Sequence, residues 1–168
     1  MKYLIALVAA GIILIGSYFA VQRTSSTAEP TPTGEVPTEV VPSGNTLNLS
    51  GQGLTKVPAY VFSATDTTEL NLSHNALTGA LPAEIRRLQN LRTLDLSSNK
   101  FTGVPAEIGQ LKNLEVLNLS DNMLTGLPYE LGNLSKLKLL DVSGNAYSEA
   151  DLAKIRNALP SSTVVKTR

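Results

Sequence analysis

The chain has 168 residues, room for one compact core but not for a second folded domain. Lysine plus arginine and aspartate plus glutamate number 14 each, so no net field selects nucleic acid, an acidic membrane surface or a polyanionic substrate. There is no cysteine, which excludes disulfides, thiolate metal sites and a cysteine nucleophile.

Residues Tyr3 to Val21 carry no charged side chain. As a helix rising ~1.5 Å per residue they span roughly 28 Å, close to the thickness of a hydrocarbon core. A cleavage site ending at Ala20 would place the bulky Tyr18 at the third-last position, so retention as an anchor is the expectation. Residues 1–23 are therefore predicted to form an N-terminal apolar helix that crosses the membrane once. With the amino terminus inside, the remainder is outside the cytoplasm, periplasmic or at the cell surface; cleavage would make it secreted. Residues 24–43 hold four prolines, many Thr and Ser, three Glu and no Lys or Arg. Such a stretch buries too little apolar surface to order itself and reads as a disordered stalk, extended by its prolines.

From Leu47 onward the sequence repeats. Gln52, Asn75, Asn99, Asn122 and Asn145 occupy equivalent positions, spaced by 23, 24, 23 and 23 residues, with the extra residue within Gly79 to Leu81. In each unit the pair typified by Leu94 and Leu96, or Leu117 and Leu119, alternates with polar residues, as a short strand with one buried face requires. One such strand cannot close a core. Stacked copies form a parallel sheet ~4.8 Å from strand to strand, with Leu77, Phe101 and Leu124 merging into the same interior. The return path opens at Pro82, Pro105 and Pro128 into short helical turns that point Ile85, Ile108 and Leu131 inward. The asparagines fall where the chain bends inside the stack, so Asn75, Asn99, Asn122 and Asn145 are expected to form a structural ladder bonding backbone groups left unpaired there.

The pattern LxxLxLSxNxLTGxLPxEIGxLxNL resembles the leucine-rich-repeat family, with the 23-residue spacing common in bacterial members; the longer unit, LTGALPAEI, is similar to the plant-receptor type. The resemblance covers residues 44–168 and implies an α/β solenoid: a curved right-handed coil with a parallel concave β-sheet and short helical turns on its convex side. It also implies a binding role. Extracellular members from animals and plants usually carry cysteine-bonded caps, so the cysteine-free chain is expected to be bacterial. The last unit departs from the repeat after Tyr147. Ser148 is placed to cap a helix whose Leu152, Ile155 and Leu159 share one face, making 148–160 a C-terminal helical cap. Ser162 to Val165 can add a final strand, and Val40 and Val41 can cover the opposite end.

Reactive constellations are scarce. His74 is the sole histidine and reads as a solvent-facing loop residue. Glu84, Glu107 and Glu130 recur once per unit, but in a first helical turn, where a carboxylate suits the dipole. Asp95 and Asp141 share a strand position without an acid/base partner. No catalytic residues, cofactor or metal are assigned. The triplets at Asn48, Asn71, Asn118 and Asn133 match glycosylation acceptors, the first three as a by-product of the repeat.

Three columns are expected to face outward from the sheet: Thr46, Glu69, Thr93, Val116 and Leu139; Asn48, Asn71, Asp95, Asn118 and Asp141; and Ser50, Ser73, Ser97, Ser120 and Ser143. With the adjoining turn residues, such as Asp121, they match one side of a protein interface of ~800 Å² per partner. Val116 and Leu139 are the expected contact centre, with Glu69, Asp95 and Asp121 as acidic surroundings. The function expected is binding of a protein or peptide ligand at the concave face, without catalysis. The alternative is a structural or adhesive envelope protein whose polar face binds polysaccharide.

Overall fold

The structure, a computed structural model, describes residues 45–167. The apolar segment, the stalk and the pair Val40 and Val41 lie outside the described residues. Among the described residues no helix is long and apolar enough to cross a membrane.

Eight strands of three or four residues occur in chain order: β1 (Thr46–Asn48), β2 (Glu69–Asn71), β3 (Thr78–Ala80), β4 (Thr93–Asp95), β5 (Lys100–Gly103), β6 (Val116–Asn118), β7 (Leu139–Asp141) and β8 (Val164–Lys166). Six of them form one parallel sheet in the order β1-β2-β4-β6-β7-β8. The register places Leu47, Leu70, Leu94, Leu117, Leu140 and Val165 side by side. The five leucines of that row are at most 1% exposed, as are Leu49, Leu72, Leu96, Leu119 and Val142 two residues on. Strand length follows from this: two inward side chains per unit suffice to meet the return path, and a longer strand would carry apolar residues past the core.

The return path is a 3₁₀ turn of five residues in each of four units: Ala59–Ser63, Ala83–Arg87, Ala106–Gln110 and Tyr129–Asn133. Pro58, Pro82, Pro105 and Pro128 precede them in extended conformation, and their carbonyls accept from Val61, Ile85, Ile108 and Leu131 three residues later. Proline lacks an N–H but loses nothing there, because that N–H would have no partner in the turn. Ile85, Ile108 and Leu131 are fully buried, and so are Leu88, Leu111 and Leu134. Gly109 and Gly132 let these turns stack closely. A Cβ on Gly109 would lie 2.3 Å from the Glu130 carbonyl oxygen, and one on Gly132 would lie 2.5 Å from the Ala158 Cβ.

The C-terminal helix α1 spans Glu149–Ala158, with Leu152, Ile155 and Leu159 buried. Ser148 holds the N-cap position, but its side chain makes no capping bond; its carbonyl accepts from the Asp151 and Leu152 N–H groups. The Asp151 carboxylate turns away from the helix start to accept from the Tyr129 hydroxyl at 2.9 Å, tying α1 to the preceding repeat. The closing strand β8 begins two residues later and ends one residue later than the expected Ser162 to Val165, because Val164 N–H continues the sheet by donating to the Lys138 carbonyl.

A second, two-stranded parallel sheet pairs β3 with β5. The repeat pattern marks an inserted residue within Gly79 to Leu81 but no strand there. The pairing shifts register between Gly79 and Ala80, next to the inserted residue.

Candidate functional site

The solvent face of the six-stranded sheet carries two outward columns, not three. Ser73, Ser97 and Ser120 are 4%, 7% and 8% exposed. Each serine of that row turns back along its own strand end. The Oδ1 atoms of Asn48, Asn71, Asp95, Asn118 and Asp141 accept from both the N–H and the hydroxyl of the serine two residues on, at 2.6–3.1 Å. This local turn requires one acceptor oxygen and nothing more, which explains why Asn and Asp alternate in the column. The bonded oxygens of Asp95 and Asp141 are therefore committed to the backbone, and so are the amide oxygens of the sheet triplets Asn48, Asn71 and Asn118. Asn133 is exposed at the end of a 3₁₀ turn.

The ladder asparagines lie one step further along, inside the stack. Asn99 donates through Nδ2 to the carbonyls of Leu72, Leu96 and Ser97 at 2.9–3.1 Å, and its Oδ1 accepts from the Leu77 N–H. Asn75, Asn122 and Asn145 repeat this arrangement, each reaching the carbonyl of the preceding unit's strand end. The residue before each rung takes a left-handed backbone, with φ between 53° and 66° at Gly51, His74, Ser98, Asp121 and Gly144. His74 is exposed at this turn, and its N–H donates to the Ser97 carbonyl. Asp121 occupies the same turn two units on, beside the sheet face and not within its columns.

Column one runs in register through Thr46, Glu69, Thr93, Val116, Leu139 and Val164. Val116 and Leu139 are half-buried neighbours, and Val164, which sequence reading left out of the column, is 57% exposed. Its place was hidden because β8 follows a helix and not a repeat. The other end of the face holds a shallow depression of about 270 Å³, lined by Thr46, Asn48, Glu69, Asn71, Thr93 and Asp95.

An ionic row just before the strands was also missed, although its 23-residue spacing was available. Glu115 pairs with Arg92 at 3.2 Å and with Lys138. The Lys138 ammonium first, and the Arg92 guanidinium second, hold the Glu115 carboxyl below its ordinary pKa. Lys166, next to Asp141 in column two, approaches its second oxygen at 3.7 Å. On the convex side Glu107 meets Arg86 at 3.8 Å, while Glu84 and Glu130 are exposed. Among the described residues no group of three or more His, Asp or Glu side chains could hold a metal ion.

Stacked parallel strands, 3₁₀ returns and a buried asparagine per turn define a leucine-rich-repeat solenoid. The family model described as leucine rich repeat matches residues 45–101 and 89–146, and the chain belongs to this family. Over 67 residues it is 48% identical to receptor-like protein 32 of Arabidopsis thaliana, a match covering 40% of this chain and 7% of that protein. A leucine-rich-repeat protein of Leptospira interrogans superposes with a TM-score of 0.62 at 40% identity, over 67% of this chain and 28% of that one. The plant peptide hormone receptor RGFR1, solved in complex with RGF2, superposes with a TM-score of 0.60 at 35% identity, over 72% of this chain and 20% of the receptor. The chain thus spans a small part of the length of these relatives.

Proposed function

We propose that this protein is a membrane-tethered, non-catalytic leucine-rich-repeat module that binds a protein or peptide ligand on its concave sheet face. The observation that carries the reading is column one, where non-consensus side chains stand in fixed register on a hydrogen-bonded sheet. Rigid backbone with variable outward residues is the arrangement in which a repeat scaffold encodes specificity. The ligand surface comprises Glu69, Asn71, Thr93, Asp95, Val116, Asn118, Leu139 and Asp141, flanked by Asp121. The receptor RGFR1 was solved with RGF2 bound, which supports a peptide or protein as the ligand class. The polysaccharide alternative is less favoured, since neither column presents an aromatic ring for sugar stacking.

Tethering rests on the charge-free stretch Tyr3 to Val21, and with the amino terminus inside, the repeats lie outside the cytoplasm in this proposal. Two measurements test the proposal. The full chain should remain in the membrane fraction after alkaline carbonate washing and should be released by deletion of residues 1–23; release of the intact chain would refute the anchor. Crosslinked capture from native cells should yield a protein or peptide with the parent and not with a Thr93→Arg/Val116→Arg/Leu139→Arg variant. These substitutions spare the asparagine and serine turns, and a thermal midpoint matching the parent's is required of the variant before the captures are compared; identical capture by both would refute the concave-face reading.

A further inference from the structure

We infer, resting on the concave-face reading above, that the ligand is an extended segment lying across the strands, with a basic side chain about four residues from an aliphatic one. Some of the charges on the face are already matched. Asp141 faces Lys166, and Glu115 is shared between Arg92 and Lys138. Glu69 and Asp95 have no basic partner among the described residues; Glu69 accepts only from the Thr46 hydroxyl, at 3.2 Å. Both carboxylates line the same 270 Å³ depression. Asp121, likewise without a basic partner among the described residues, lies in the turn after β6 beside the face; within the two columns the uncompensated negative charge is therefore concentrated over β2 and β4.

The opposite end is apolar. Val116, Leu139 and Val164 stand on the consecutive strands β6, β7 and β8, so three aliphatic side chains form one ridge. Lys166 lies beside it, and its pairing with Asp141 keeps an uncompensated charge off the ridge. The face thus has two chemically distinct ends, and a uniformly apolar or uniformly basic ligand would satisfy one of them alone.

Geometry sets the spacing. The depression spans β1, β2 and β4 and centres on β2, which the sheet order puts three strand intervals from β7, or about 14 Å at ~4.8 Å per interval. An extended chain advances ~3.3 Å per residue and returns a side chain to the same face every second residue. Four residues, about 13 Å, is the even number that fits. A lysine or arginine in the depression then places the residue four positions away over Leu139, with a neighbour two further on reaching Val164.

The test uses phage-displayed random dodecapeptides selected on the full chain. Enriched peptides should carry Lys or Arg four residues from Leu, Ile, Val or Phe. A synthetic peptide of that sequence should lose at least tenfold in affinity against Glu69→Lys and against Val164→Asp. Exchanging its basic residue for Glu should restore binding to Glu69→Lys. Both positions are exposed, so thermal midpoints of the variants should match the parent and separate binding loss from unfolding. Selected peptides that lack the basic residue, or ignore Glu69→Lys, while still losing affinity on Leu139→Arg would overturn this inference and leave the concave-face reading standing. Peptides insensitive to every one of these substitutions would overturn both.

Discussion

Two rows of asparagine-type residues run along this solenoid, one residue type in two environments, and they do different work. The ladder row is inside: Asn99 and Asn122 are 7% and 8% exposed, and each amide bonds strand ends of its own unit and the unit before. The strand row, from Asn48 to Asp141, is on the face, and each Oδ1 serves only the serine two residues on. A buried amide that joins units carries the stack; a half-exposed one shapes a single turn and can be replaced by carboxylate. Recurrence of a residue in a repeat therefore says little about its energetic weight until burial and the reach of its bonds are known.

The sharpest way to break the comparison is to remove one member of each row. Asn99→Ala leaves the Leu77 N–H unpaired in the interior and takes one of two donors from each of the Leu72 and Leu96 carbonyls, which keep Asn75 and Asn122; it should cost about 2–3 kcal/mol in urea unfolding. Asp95→Ala loses only bonds within a single turn, where the aspartate itself is half-exposed, and should cost about 1 kcal/mol. Equal losses would mean that the strand row also carries the stack.

The convex side offers a parallel test of position against residue type. Gly109→Ala drives a methyl into the Glu130 carbonyl and should cost about 2 kcal/mol, whereas Gly126→Ala has nothing within 4 Å and should be near neutral by the same assay. The smallest expected effect is ionic. The Glu115 carboxyl is held below its ordinary pKa by Lys138 and Arg92, so the stability it contributes is present above the unfolded-state value near ~4.3 and is lost as pH falls through the lower folded value. Lys138→Ala should move the NMR titration midpoint of Glu115 upward. The stability difference between the parent and Glu115→Gln should shrink as acid is added; a difference that grows on acidification would contradict the assigned pairing. Both groups lie at the surface, where screening keeps such an effect small.

Several parts of the architecture were legible because they obey short-range periodicity. Period-two leucines gave Leu94 and Leu96 their inward direction, and the recurrence of Asn75, Asn99 and Asn122 located the units. The cap was readable through the spacing of Leu152, Ile155 and Leu159. The capping role expected of Ser148 was not, because the Ser148 carbonyl serves the first turn of the helix while Asp151 answers Tyr129, 22 residues away. The β3–β5 pairing was hidden for a related reason: LTGALP has no alternating apolar pattern, and its strand character exists only because FTGVP lies alongside it.

The candidate face shows the same division. The repeat, its family, the inward leucines and the identity of the column-one residues up to Leu139 were legible in the linear chain, since all of these follow from residue types at fixed intervals. Three-dimensional packing was needed to show that the central serines Ser73, Ser97 and Ser120 are buried in their own turns, that Val164 extends the apolar ridge, and that Asp141 is matched by Lys166 while Glu69 and Asp95 are not. Each of those facts depends on a neighbour supplied by another turn of the solenoid or by the strand that follows α1. Burial and charge compensation are properties of such neighbours, and the linear sequence does not show who they are.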